Sequence, residues 1–154
     1  MPSFHYSCYA PSFEGDRITI VQPVNIYGCH LSDDVFIGPF VEIQSNVYIG
    51  SRTKVQSHSF ICSGVKIGSD CVVAHGVKFI NDTFATGVPA NGDESLWGAT
   101  SIEARVYIGT NSTILPVSIC SDVVIGAGSV VTKDIVNSGI YAGNPARLIR
   151  SLNP

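Results

Sequence analysis

The 154-residue sequence predicts an all-β solenoid, a column with three flat sides, on three observations. Apolar side chains recur at every sixth position from Leu31 to Phe79, through Ile37, Ile43, Ile49, Val55, Ile61, Ile67 and Val73. Two residues before each of the last eight stands a small or β-branched side chain: Val35, Val41, Val47, Thr53, Ser59, Val65, Cys71 and Val77. At the longer step of eighteen, Leu31-Ser32-Asp33-Asp34, Ile49-Gly50-Ser51-Arg52 and Ile67-Gly68-Ser69-Asp70 resemble one another. A period of six fits neither a helix of about 3.6 residues per turn nor a lone strand of period about 2. It fits a repeat that buries its apolar side chains only by stacking on its neighbours, three six-residue units making one coil. Each side is then a short strand, and each corner a turn of Gly, Ser, Asn or Asp, which tolerate the backbone angles needed. The faces that begin at Leu31, Ile37 and Ile43 are the first, second and third.

Taken in order, residues 1–19 lie off the pattern and carry Phe4, Tyr6, Tyr9 and Phe13, the composition of a cap over an open solenoid end. Residues 20–80 are the first coils. Ile20 and Ile26 start the ladder, and a five-residue step to Leu31 is absorbed at Tyr27-Gly28-Cys29. Residues 81–101, with Gly87, Pro89, Asn91, Gly92, Asp93 and Trp97, read as one inserted loop without periodicity. Long loops in compact repeat proteins are usually functional, so a ligand is expected there. Residues 102–141 are the last coils, anchored by Ile102, Ile108, Ile114, Ile119, Ile125 and Val131, with one residue lost across Pro116. If the loop leaves from the corner after the third face, these anchors return to faces one, two and three. Residues 142–154 are a short tail, with a short amphipathic turn or helix expected over Ala142–Arg150.

The size and the 45% hydrophobic content suit one domain with a continuous core. A net charge of -3 and no basic cluster argue against nucleic acid as a partner. The start of the chain lacks the pattern of a secretory leader, and no run approaches the length of a membrane span, so a soluble, cytoplasmic protein with no membrane partner is expected. Five cysteines, Cys8, Cys29, Cys62, Cys71 and Cys120, form an odd set without Cys-x-x-Cys spacing, which points to reduced core or wall residues. The flat sides of a narrow column invite burial against another copy, so a cyclic homo-oligomer is expected.

Nearly the whole chain after residue 20 resembles the hexapeptide-repeat acyltransferases, a family of left-handed parallel β-helices that are commonly trimers. Ile125-Gly-Ala-Gly-Ser-Val-Val-Thr-Lys-Asp-Ile135 and Gly143-Asn-Pro-Ala-Arg147 are similar to the family's acyl-coenzyme A end. His75-Gly-Val-Lys-Phe-Ile-Asn-Asp82, with Ile37-Gly-Pro-Phe-Val-Glu-Ile43 and Gln56-Ser-His-Ser-Phe-Ile-Cys62, looks like the branch that acetylates amino groups on nucleotide-linked sugars. The resemblance implies a homotrimeric N-acetyltransferase that uses acetyl-CoA as co-substrate and a nucleotide-sugar as acceptor, with no metal.

The site residues follow from the resemblance and from the repeat. For acetyl-CoA the resemblance points to Gly109, Ala127, Thr132, Lys133, Arg147 and Arg150. The two small residues would admit an extended pantetheine arm to backbone amides, and the three cations would meet its phosphates. His58 and His75 fall at the corner between the second and third faces, on neighbouring coils, beside Thr110-Asn111 and Ala127-Gly128. With a reference pKa of about 6.5, a neutral imidazole there accepts a proton or hydrogen-bonds a thioester carbonyl. His75 is the expected catalytic residue, and His58 and Phe84 are expected to bind substrate. Asn81 and Asp82, expected to act with His75, sit at the far corner of the same face. A separation of roughly 13 to 17 Å along an extended strand lets them meet His75 on one substrate only across a subunit boundary.

No histidine follows His75, whereas the hydroxyl-acetylating branch places a catalytic histidine in the following loop. An amine of modest pKa needs no such base, which favours N-acetylation. In the amino-sugar branch the departing thiolate is thought able to take the proton, and an Asn-Asp turn orients the substrate. Phe84 is followed by Ala85-Thr86 rather than that branch's Pro-Arg, which argues against a carboxylated sugar. The rivals are O-acetylation of a sugar or small-molecule hydroxyl, a non-catalytic β-helix scaffold, and a metal lyase. The lyase needs converging histidines, and His30, His58 and His75 are 28 and 17 residues apart.

Overall fold

The computed structural model describes residues 8–9, 12–13 and 15–152, with the backbone alone at Cys8–Tyr9 and Ser12–Phe13. The chain forms an all-β parallel solenoid with three sheets. The first face is a 6-stranded sheet, the third a 7-stranded one, and the second an 8-stranded one whose last two members are a terminal hairpin. Successive coils pair in parallel at a fixed register, Leu31 on Ile49 and Ile37 on Val55, for example. At about 4.8 Å per coil the column stands about 30 Å tall.

Every anchor from Leu31 to Phe79 is at most 1% exposed, as are all eight partners two residues earlier, so the two inward positions of each unit form one unbroken core. The polar members are satisfied by backbone. Thr53 Oγ1 donates to Gly68 O at 2.7 Å and accepts from Cys71 N at 3.0 Å. Ser59 Oγ donates to Ala74 O at 2.9 Å. A buried hydroxyl that bridges consecutive coils in this way avoids the desolvation penalty of an unpaired polar group.

The corner between the first and second faces carries a feature unread in the sequence. Arg17, Asp34, Arg52, Asp70, Arg105 and Asp122 succeed one another down six coils, all with left-handed backbone (φ 56 to 62°). They pair as Arg17–Asp34, Arg52–Asp70 and Arg105–Asp122, each guanidinium engaging both carboxylate oxygens at 2.6 to 2.8 Å.

The inserted loop leaves after the third-face strand Lys78–Phe79 and returns at the first-face strand Thr100–Ile102. Phe79 pairs with Ile114 and Ile67 with Ile102, so the resumed anchors lie on the faces they would occupy without the insertion. Strand begins one residue before the Ser101 boundary read from the sequence, and a 3-10 turn, Glu94–Leu96, interrupts the loop behind an Asp93 cap.

The segment expected as a short amphipathic turn or helix over Ala142–Arg150 is a β-hairpin. Gly139–Gly143 pairs with the second face, and Ala146–Ser151 folds back antiparallel to it. The Asn144-Pro145 turn reverses the chain, and the open end of the second sheet supplies the hydrogen-bonding edge that a helix would forgo. At the other end, much of the cap read over residues 1–19 lies outside the described residues. The described strands Cys8–Tyr9 and Ser12–Phe13 pair with Ile26–Tyr27 and His30–Leu31.

Candidate active site

The corner between the second and third faces stacks Pro39-Phe40, Ser57-His58, His75-Gly76, Thr110-Asn111 and Ala127-Gly128, linked by backbone hydrogen bonds from each coil to the last. His58 and His75 are both exposed, on adjacent coils. Ser57 Oγ lies 2.9 Å from His75 Nδ1, a hydrogen bond that fixes the ring and leaves Nε2 facing outward. His58 has left-handed backbone (φ 64°), and its ring stacks on Phe40 with centroids 4.9 Å apart. From the third face, Lys78 reaches back and donates its ammonium to His58 O. Phe40, Ser57 and Lys78 were not singled out from the sequence as site residues. Lys78 lies twenty residues from His58, and only the strand register brings them together.

Further along the same corner, Gly109 packs directly on Ala127, and a Cβ at Gly109 would sit 2.5 Å from Ala127 N. Only glycine fits that approach, and Gly38, Gly50 and Gly68 meet the backbone of the next coil in the same way. The other residues expected to hold acetyl-CoA lie past the third face. Thr132, Lys133 and Arg147 line one cleft of about 260 Å³ with Asp134, Tyr141 and Leu148, and the hairpin carries Arg147 there. Arg150 is on the same hairpin strand, opposite Ile140, and outside that cleft.

Asn81 and Asp82 are not beside His75. They stand at the opposite end of the third face, at the loop's root, where their polar atoms are engaged. Asp82 Oδ1 accepts from Phe84 N at 2.9 Å and Oδ2 from Ala90 N at 2.8 Å, while Asn81 Nδ2 donates to Ser63 O at 3.3 Å. The Asn81 carbonyl also takes Gly98 N at 2.8 Å, closing the loop's neck. Within this frame Phe84 is 59% exposed with left-handed backbone (φ 52°), and Val88 and Leu96 are exposed beside it in sequence. His30 points outward from the first face, away from the corner that carries His58 and His75. Among the described residues no helix is long and apolar enough to cross a membrane.

Residues 28–63 match the family model described as bacterial transferase hexapeptide (six repeats), and residues 99–133 the one described as hexapeptide repeat of succinyl-transferase. The chain is a hexapeptide-repeat protein. Among curated proteins, the hexapeptide-repeat protein is similar to galactoside O-acetyltransferase of Escherichia coli (strain K12), 48% identical over 54 residues. That match covers 34% of this chain and 27% of the relative, and the chain spans under a third of each of the first curated relatives it matches. Its fold is that of a hexapeptide transferase family protein from Anaplasma phagocytophilum (TM-score 0.76, 19% identity, 94% of this chain and 82% of that one). It is also that of a variant of AntD, an N-acyltransferase from Bacillus cereus in complex with dTDP and coenzyme A (TM-score 0.68, 21% identity, 92% and 82%).

Proposed function

We propose that the protein is an acetyl-CoA-dependent N-acetyltransferase acting on the amine of a nucleotide-linked amino sugar. The observation that carries this reading is that His75, oriented by Ser57, shares its corner with Gly109 and Ala127, while Thr132, Lys133 and Arg147 line a cleft across the third face from it. A phosphate-bearing thioester laid from that corner to the cleft has its carbonyl beside His75 and its phosphates among the cations.

In the proposed reaction the acceptor amine attacks the thioester carbonyl, the C–N bond forms, and the C–S bond breaks to release the coenzyme A thiolate. The amine's proton leaves through His75 Nε2 or directly to the thiolate. With Nδ1–H donating to Ser57 Oγ, Nε2 carries the lone pair. His75 is the catalytic residue of this scheme, and His58 and Phe84 contact substrate. Asn81 and Asp82 hold the loop, which closes over the His75 corner of a neighbouring copy in a homotrimer. The second face suits that assembly, since from Phe36 on its outward row, Phe36, Lys54, Val72, Tyr107, Val124 and Ile140, is apolar at every position but Lys54, against His30, Tyr48, Lys66, Ser101 and Ser118 on the first. The cytoplasm, where acetyl-CoA and nucleotide-sugars occur together, is the proposed compartment.

O-acetylation is the second reading, favoured by the local identity to a galactoside O-acetyltransferase. Free-thiol release from acetyl-CoA, measured across matched amino-sugar and hydroxyl-sugar nucleotides, separates the two. Release with amine acceptors alone is expected, and release with hydroxyl acceptors alone overturns the amine assignment.

A further inference from the structure

We propose that the cleft on the N-terminal side of His58 seats the nucleobase of the acceptor, and that it is built for guanine. This deepens the proposed function and rests on it, adding which base is read and where.

The cleft, about 340 Å³, is lined by Pro23, Val24, Asn25, Phe40, Val41 and Glu42. Its floor runs over Val24 and Val41, whose side chains belong to the core. Its wall is Phe40, a bulky aromatic held 57% exposed in left-handed backbone (φ 59°), a conformation that costs a residue of this kind energy. The ring's position is fixed by the stack on His58. An exposed, oriented aromatic face is a stacking platform for a planar heterocycle.

Two polar groups share the cleft with Phe40. Asn25 and Glu42 are register partners on consecutive coils of the third face. The Glu42 side chain is held in place, since Oε1 accepts from Gln44 Nε2 at 3.3 Å, and Gln44 Oε1 in turn accepts from Ser63 N at 3.2 Å. A carboxylate offers only acceptors. Guanine presents the N1–H and the N2 amino group side by side to meet it, with O6 next to them to accept from the Asn25 amide. Uracil and thymine present one N–H between two carbonyls, so a carboxylate facing that edge meets oxygen lone pairs. Adenine offers one amino group beside an unprotonated ring nitrogen. Of the four, guanine alone meets the carboxylate with two adjacent N–H donors while leaving an acceptor for Asn25.

The spacing along the column agrees. Phe40 is two coils from the His75 level, about 10 Å, and the Lys78 ammonium, bonded to His58 O, lies between them as a cation for the diphosphate.

The test is direct binding of GDP, UDP, dTDP and ADP to the full-length protein by titration calorimetry, with Glu42→Gln and Phe40→Ala alongside. GDP is expected to bind at least tenfold more tightly than the others. Glu42→Gln, which keeps the Gln44 contact, is expected to remove that preference, and Phe40→Ala to weaken every nucleotide alike, with circular dichroism melts matching wild type. Equal binding of all four, no nucleotide binding, or an unchanged GDP preference in Glu42→Gln overturns the proposal. Thiol release is measured on the same preparations. Acetylation that ignores the base sinks the guanine seat and leaves the transferase reading standing, whereas GDP preference without any acetylation supports the seat and sinks the transferase reading.

Discussion

Asp82→Asn separates two roles that the loop's root could have. Asp82 holds the loop through both carboxylate oxygens, one bonded to Phe84 N at 2.9 Å and the other to Ala90 N at 2.8 Å. Asparagine keeps one acceptor and turns its amide N–H₂ toward the second backbone N–H, so one bond is lost and two donors face each other. Hydrogen bonds to charged groups contribute about 1.5 to 3 kcal/mol. The half-exposed site reduces that, and a net loss of about 1 to 2 kcal/mol is expected. Local opening of the loop then becomes about 5 to 30 times more frequent. Amide hydrogen exchange reads this directly. Phe84 and Ala90 N–H are expected to exchange faster by that factor, core amides such as Ile61 to be unchanged, and the KM for the acceptor to rise more than kcat falls. If exchange at Phe84 and Ala90 is unaltered while kcat drops about a hundredfold, Asp82 acts on the substrate itself and the positioning role is refuted.

Two further outcomes follow from the titratable groups. Asp34, Asp70 and Asp122 are held below the usual carboxylate range, first by the hydrogen bonds from Arg17, Arg52 and Arg105. Their contribution to stability is therefore complete above about pH 4 and is lost as pH falls through the lowered values. Tm is expected to drop steeply below about pH 4 in wild type and less steeply in the Asp34→Asn, Asp70→Asn, Asp122→Asn triple variant, and equal slopes would count against the charge column. Burial pushes the Cys62 thiol up to about 11, so the folded protein at pH 8 presents almost no Cys62 thiolate. Peptide mapping after brief treatment with a thiol reagent should find Cys62 unmodified until denaturant is added, and rapid native labelling there would contradict the burial.

The column was legible because its signal is local and repeated. Each anchor from Leu31 to Phe79 needs only its own six residues to declare which way it points, and two single-residue deletions and one long insertion left the pattern readable on both sides. The hairpin was not, because Arg147, Leu148, Ile149 and Arg150 read equally as an amphipathic turn until the open sheet edge at Gly139–Gly143 is known. The charge column was hidden for a related reason. Arg17 and Asp34 are 17 residues apart, Arg52 and Asp70 are 18, and Asp70 and Arg105 are 35, so no constant step exposes them before deletion and insertion have been assigned to corners. At the site, the corner that holds His58 and His75 could be placed from the repeat alone. The partners that orient it, Ser57, Phe40 and Lys78, depend on side-chain reach between coils, which periodicity does not encode. The same limit applied to Asn81 and Asp82. Their position at the loop's root was readable, but the backbone amides that occupy Asp82 were not.

The most direct test of the proposed reactive corner is steady-state thiol release by His75→Ala and His58→Ala, with an amino-sugar nucleotide as acceptor and coenzyme A binding measured in parallel. His75→Ala is expected to lower kcat by about a hundredfold with coenzyme A affinity within twofold of wild type, and His58→Ala to act mainly on acceptor KM. Equal, small losses in both variants would show that the chemistry takes place somewhere other than this corner.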